Sequence, residues 1–257
     1  MKYVRMAMKM VPQPFARFFG RSSFYLQGQM DIHASSRWYN PEFVAYSGGM
    51  YPKTPGPERR IHDLEPWDST RRDMLVMLLK SILDRSVPGD MVELGVYQGT
   101  TAKLLHHYMP DRELHLFDTF EGFTDRSVAS EHGNTSVRVS ADHFADTSLR
   151  AVQQAICAQN GNVYFHPGFF PDTIPEDFKG RRFAFVHLDA DLYEPTVLGL
   201  EYFYPRMSAG GMIVVHDYNA WIGARKAVDD FLADKPEIPI PMPDKSGSAL
   251  IVRGDHP

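Results

Sequence analysis

A single cysteine, Cys157, stands in 257 residues. No intramolecular disulfide is possible, which suits a reducing compartment. Cys157 follows the helical pattern Leu149, Val152, Ala155, Ile156 and reads as a half-buried structural thiol, not a nucleophile. No apolar run approaches the roughly 18–20 residues of a membrane-spanning helix. Charges at Lys2, Arg5 and Lys9 interrupt the N-terminus, so a secretory apolar core is missing too. A cytoplasmic chain without a membrane span is expected. Acids are scarce at the start, with none before Asp31. Residues 1–60 hold nine Lys or Arg against three Asp or Glu, a local charge of +6 in a chain of −5, which leaves −11 for the remainder. A body of that sign does not suit nucleic acid. The 23% charged and 43% apolar composition, with 19 Gly and 19 Pro, excludes collagen-like, disordered and coiled-coil chains.

What is present is a basic arm followed by regular alternation. Residues 1–60 are rich in proline, glycine and aromatics and read as an arm or lid, or as the contact with a second copy of the chain, so a homo-oligomer is expected. Its first residues form a basic amphipathic helix stopped by Pro12 and Pro14. Residues 61–257 read as one domain. A helix over 66–85 carries the stripe Met74, Leu75, Leu78, Leu79, Ile82 and is capped by Asp68 or Ser69. Strands are expected at 90–96, 113–120, 162–166, 183–189 and 212–215, and helices at 100–108, 148–159, 194–207 and 223–233. The stretch 121–147 is polar, irregular and too long for an ordinary loop, which marks a lid or functional segment. Two closing segments, 238–240 and 249–252, flank a turn at 244–247 and predict an antiparallel C-terminal hairpin. Continuous apolar strands alternating with helices predict an α/β, doubly wound, mostly parallel sheet. Ligands in such sheets bind beyond the C-terminal ends of the strands.

The first strand runs into Glu93-Leu94-Gly95-Val96-Tyr97-Gln98-Gly99-Thr100-Thr101. Gly95 permits a tight turn, and Gly99 lets a helix begin against the sheet with free amides. Glu93 stands where a dinucleotide fingerprint has its first glycine. A carboxylate there suits a cation better than a pyrophosphate. The second strand ends in Phe117-Asp118-Thr119-Phe120, and Asp118 has the offset of a ribose-binding acid. A nucleoside cofactor that is cationic and lacks phosphate is expected, and S-adenosylmethionine fits. Glu93, Gly95, Tyr97, Gly99, Thr100, Asp118, Thr119 and Phe120 are its candidate contacts, with Asp189 from the next motif.

That motif is His187-Leu188-Asp189-Ala190-Asp191-Leu192-Tyr193-Glu194. Buried carboxylates at a strand end are costly unless paired or bound to metal. Asp189 and Asp191 are two apart and would share one side of an extended chain. A strand–helix–strand unit separates Asp189 from His216-Asp217, so the two strands should be neighbours. Oxygen donors suit Mg²⁺ or Ca²⁺, and the histidine admits Mn²⁺. Asp189, Asp191, His216 and Asp217 would meet at one edge of the cofactor pocket, where they could hold a divalent cation and a nearby carboxylate could take up a proton. His187 is expected to be a satisfied core histidine. Trp221 either walls the acceptor site or packs in the core. Arg59-Arg60 and Arg71-Arg72 are expected to be solvated.

Several motifs occur together in a specific order: V-E-L-G-V-Y-Q-G-T-T, L-F-D-T-F-E-G-F, G-F-F-P-D-T-I-P, H-L-D-A-D-L-Y-E-P-T, Y-P-R-M-S-A-G-G and H-D-Y with G-A-R-K-A-V-D-D-F. Over roughly residues 60–255 the chain resembles the macrocin-type, TylF/MycF/NovP-like metal-dependent O-methyltransferases. The resemblance implies a class I methyltransferase fold and methyl transfer from S-adenosylmethionine to a sugar hydroxyl of a natural product or glycan. It implies Asp189 and the pair at 216–217 as ligands of Mg²⁺, or Mn²⁺, and an aspartate of the D-x-D pair as general base. The family shows Asp-Asp-Tyr where this chain has His216-Asp217-Tyr218. Such a histidine could ligate as neutral imidazole or act as the base. A phenol or catechol O-methyltransferase and a non-catalytic cofactor-binding scaffold are the alternative readings.

Overall fold

A computed structural model describes residues 68–156 and 161–254. The basic arm, Arg59-Arg60 and Cys157 lie outside the described residues. Helix α1 (Ser69–Asp84) starts at Asp68, whose carboxylate accepts from the amides of Thr70 and Arg71, both at 3.0 Å. This satisfies two of the amides that a helix start leaves unpaired. Its buried face carries Leu75, Leu79 and Ile82, as the spacing predicts.

Strand β1 (Asp90–Leu94), helix α2 (Thr100–Tyr108) and strand β2 (Leu114–Asp118) form the first crossover unit. Helices α3 (Asp125–Asn134) and α4 (Leu149–Ile156) then lead to β3 (Val163–Pro167). Strand β4 (Phe183–Leu188), helix α5 (Tyr193–Phe203), strand β5 (Met207–Val215) and helix α6 (Ile222–Leu232) follow. Strands β6 (Ile240–Pro241) and β7 (Ala249–Val252) close the sheet as an antiparallel hairpin. The strand order is β3-β2-β1-β4-β5-β7-β6, with β1 to β5 parallel and β7 antiparallel to β5. This is the expected doubly wound α/β sheet of class I type. Strand β5 begins at Met207, five residues before the apolar run that marked it. The segment 121–147 is not irregular throughout, because it contains α3.

Every residue of β4 is buried, because helices cover both faces of the sheet. One layer packs Met91, Leu116 and Phe185 against Leu75, Leu79 and Leu104; the other packs Val92, Phe117 and Val186 against Leu200, Phe203 and Val228. Each such side chain contributes about 1.5–3 kcal/mol on burial. The packing therefore holds the strand register. In that register Leu94 lies level with both Phe117 and Leu188, and Leu188 lies level with Val215. The loops after β1, β2, β4 and β5 consequently leave the sheet at one edge. The strand order reverses between β1 and β4, where such sheets place their ligands.

The opposite edge carries a structural cluster. One Arg181 nitrogen donates to Asp90 (3.0 Å) and Glu113 and lies 3.1 Å from Nε2 of His115. Asp90, Glu113 and His115 could gather a cation by geometry. The guanidinium fills that position instead. Burial and the adjacent Arg181 charge lower the His115 pKa from 6.5 to about 4. A neutral buried imidazole stabilises the fold fully above pH 6.5. That contribution is lost as pH falls through about 4, because the unfolded chain takes up the proton first. His115→Gln should therefore flatten the fall in stability between pH 6.5 and 4 by up to about 3 kcal/mol, read from urea unfolding at a series of pH values. An unchanged slope would show that His115 does not carry the shift.

Candidate active site

The four strand ends enclose a cavity of about 260 Å³. Leu94, Gly95 and Tyr97 border it from the β1 loop, and Phe117, Asp118 and Thr119 from β2. Asp189, Asp191, His216 and Asp217 border it from β4 and β5. Glu93, Gly99, Thr100 and Phe120 do not.

Gly95 has φ +86°, and a Cβ there would lie 2.1 Å from the carbonyl oxygen of Asp189. The close approach is thus between two loops of the protein: β1 and β4 leave the sheet in contact. Gly99 packs instead against Val152 of α4. Asp118 is committed to the turn that surrounds it. One oxygen accepts from the amides of Val96 (2.6 Å) and Tyr97 (2.9 Å), and the other from Phe120 (2.6 Å). The carboxylate so ties the β1 and β2 loops together while remaining on the cavity wall. Glu93 is buried, with Oε1 3.1 Å from Nδ1 of His187. Burial and the nearby Asp189 push the Glu93 pKa well up, while burial and Arg71 push His187 down to about 3. Both shifts favour the uncharged forms, and so a hydrogen bond over an ion pair. His187 is a core histidine as expected.

The acidic cluster forms as the topology requires. Nδ1 of His216 lies 2.7 Å from Asp189 Oδ1 and 3.3 Å from Asp217 Oδ2. One donor atom each from Asp189, His216 and Asp217 falls within a 4.8 Å span. Burial opposes charge on His216, but Asp189 and Asp217 outweigh it and raise its pKa to about 10. Burial opposes charge on Asp189 likewise, and His216 and Arg71 hold it well below the usual carboxylate range. Asp191 and Asp217 share a hydrogen bond: burial and Asp189 push Asp191 up, and His216 holds Asp217 down against burial. Both directions favour the shared proton on Asp191. Asp191 faces the cavity by a different route from the expected extended chain. It lies beyond the end of β4 with φ +59°, and Asp217 has φ +58°. Aspartate tolerates this left-handed conformation better than most residues, and such strain concentrates at functional sites.

Arg71 corrects the expectation of a solvated pair. Its guanidinium donates to Asp189 Oδ2 at 2.7 Å and to the Thr101 hydroxyl at 2.8 Å, and its side chain is only 12% exposed. Arg72 is buried and paired with Asp73. An arginine pair gives no sequence signal for this, because helix packing alone decides which face meets the sheet edge.

The segment 121–147 forms one wall. Thr124 caps α3 by accepting from the amide of Ser127. The buried Glu131 accepts from the amide of Tyr193 at 2.8 Å and from the Thr135 hydroxyl at 2.9 Å. Leu192 cannot cap α5, so Glu131 supplies a carboxylate to that helix start from a distant segment. Gly223 allows it, since a Cβ there would lie 2.5 Å from the Glu131 oxygens. Tyr97, Phe144, Phe123 and Trp221 then form an edge-to-face chain across the cavity mouth, with centroids 5.3, 5.3 and 6.2 Å apart. Trp221 is half-buried against Phe123 and does not border the cavity itself.

Residues 68–250 match the model of the macrocin-O-methyltransferase (TylF) family. The chain belongs to the macrocin-O-methyltransferase family. It is 34% identical over 170 residues to the 8-demethyl-8-(2,3-dimethoxy-alpha-L-rhamnosyl)-tetracenomycin-C 4'-O-methyltransferase of Streptomyces olivaceus, covering 63% of this chain and 64% of that one. It is 30% identical over 175 residues to the demethyldecarbamoylnovobiocin O-methyltransferase of Streptomyces niveus, covering 63% and 65%. The chain thus spans slightly less than two thirds of the length of these curated relatives. Among solved structures, the O-methyltransferase NovP superposes with a TM-score of 0.59 at 25% identity over 91% of this chain and 99% of that one. The calicheamicin methyltransferase CalS11 shares the fold, with a TM-score of 0.57 at 21% identity over 84% and 95%.

The contact between loops in this macrocin-O-methyltransferase-family chain leaves no room at Gly95. Gly95→Ala should cost about 2–4 kcal/mol in urea unfolding. A cost below about 1 kcal/mol would mean that the two loops separate freely.

Proposed function

We propose that this protein is an S-adenosylmethionine-dependent O-methyltransferase that acts, with help from a divalent cation, on a sugar hydroxyl of a natural product or glycan. The observation that carries the reading is that Asp189, His216 and Asp217 gather on the wall of the cavity that also holds Gly95, Tyr97 and Asp118. The cofactor suits the cavity: Leu94, Phe117 and Phe170 make apolar walls, Asp118 presents a carboxylate to a ribose diol, and Asp189 one to a cationic group. The cation suits the donor set of two carboxylates and one imidazole, Mg²⁺ first and Mn²⁺ as the variant favoured by nitrogen.

When bound, S-adenosylmethionine supplies an electrophilic methyl group and a divalent cation supplies charge that makes a nearby hydroxyl more acidic. Asp189, His216 and Asp217 would hold the cation, with the imidazole giving up its proton to do so. Gly95, Tyr97, Asp118 and Thr119 would hold the cofactor. Glu93, Gly99, Thr100 and Phe120 would support that loop from behind the wall. An aspartate of the D-x-D pair would accept the proton of the hydroxyl. Asp189 is anionic in the free protein; Asp191 must first release the proton it shares with Asp217. The rings of Tyr97, Phe123 and Phe144 would exclude water from the mouth and orient the acceptor. The names of the relatives place methyl transfer on antibiotic scaffolds, one of them bearing a rhamnosyl group, and this supports a sugar acceptor. The described residues 68–254 would form the catalytic domain, with residues 1–60 as an arm at the acceptor or oligomer contact.

Calorimetry should detect S-adenosylmethionine binding that Asp118→Ala weakens by about tenfold or more. With glycosylated acceptors, Asp217→Ala and chelator treatment should each lower turnover at least about a hundredfold. Full turnover by chelated Asp217→Ala would sink the metal role. Methylation of a catechol in preference to every sugar acceptor would sink the acceptor class.

A further inference from the structure

Asp189 meets two cations of the chain itself. His216 approaches Oδ1 and Arg71 approaches Oδ2, each at 2.7 Å. Both carboxylate oxygens are thus engaged. Arg71 is the one Lys or Arg side chain that borders the cavity among the described residues. It is held in place rather than passing through, because the same nitrogen that reaches Asp189 also donates to Thr101, a buried residue of α2. Asp189 and Asp217, the two carboxylates held low at this edge of the sheet, lie close together, so a fixed positive charge there offsets their repulsion.

The opposite edge of the sheet shows the same device in completed form. There Arg181 fills the set Asp90, Glu113 and His115. Arg181 reaches all three members. Arg71 reaches only one oxygen of one member and leaves Asp217 to His216.

We propose that Arg71 is a resident counter-cation that competes with the divalent cation for Asp189 and so sets the affinity of the site for metal. The proposal rests on the metal-assisted reading of the site. Two effects work in one direction. The guanidinium repels a dication arriving within a few ångströms. It also occupies an oxygen that the dication would use, and must move or share it. A supporting role would have the opposite sign: a residue that merely orients a metal-binding carboxylate raises the affinity, and its loss lowers it.

The test is Mn²⁺ titration of the full chain without cofactor or acceptor, followed by the electron paramagnetic resonance signal of free Mn²⁺ and by calorimetry. Wild type, Arg71→Met and Thr101→Val are compared, with circular dichroism to establish folding. Arg71→Met should bind Mn²⁺ about tenfold or more tightly than wild type. Thr101→Val retains the arginine but loses its anchor, so it should tighten binding by about threefold; it also serves if Arg71→Met does not fold. Unchanged or weaker binding in the folded variants overturns the proposal and leaves the metal-assisted reading intact. If neither wild type nor either variant binds Mn²⁺, the metal reading fails and the proposal with it.

Discussion

Carboxyl groups crowded into one buried edge of a sheet are the constraint on which the rest of this structure depends. Each would resist ionisation alone, because burial withdraws the water that stabilises a charge. The chain resolves this unevenly. Glu93 is shifted towards its neutral form against a His187 shifted likewise. Asp191 is shifted towards the acid and shares a proton with Asp217. Asp189 alone is driven strongly to the anion, and it obtains that state from His216 and Arg71. The result is a graded set of protonation states within one cavity wall, which is what proton transfer and cation binding both need.

The surrounding fold serves this edge. Register between β1, β4 and β5 brings Asp189 level with His216. The tight contact at Gly95 keeps the cofactor-side loop against the acidic loop. Glu131 fastens α3 to the start of α5, the helix that follows Asp191, so the wall that carries Phe123 and Phe144 is tied to the acidic loop. A buried carboxylate used as a remote helix cap costs desolvation, which the amide of Tyr193 and the hydroxyl of Thr135 offset.

Much of this was legible in the residues. Apolar runs bounded by turn residues located the central strands, and the alternation predicted their parallel order. Acidic residues at strand ends predicted that Asp189, Asp191, His216 and Asp217 would meet at one edge of the pocket. The misses have physical reasons. Arg71 looked like half of a solvated pair, because nothing local distinguishes the face of α1 that meets the sheet edge. Helix α3 was hidden because its sequence is polar apart from Val128 and Ala129, so it has no apolar stripe, and it is tied in by the Thr124 cap and by Glu131 at the start of α5.

The sequence by itself determined the class of fold, the adjacency of the strands that carry Asp189 and His216, and the set of acidic groups at the cavity, since these follow from hydrophobic period, turn chemistry and the short strand–helix–strand connection. Tertiary structure decided which carboxyl groups are ionised, which arginine answers them and which motif residues stand behind the wall. Those outcomes depend on burial and on contacts between distant segments, such as Arg71 with Asp189 and Glu131 with Tyr193. No local pattern of residues encodes them.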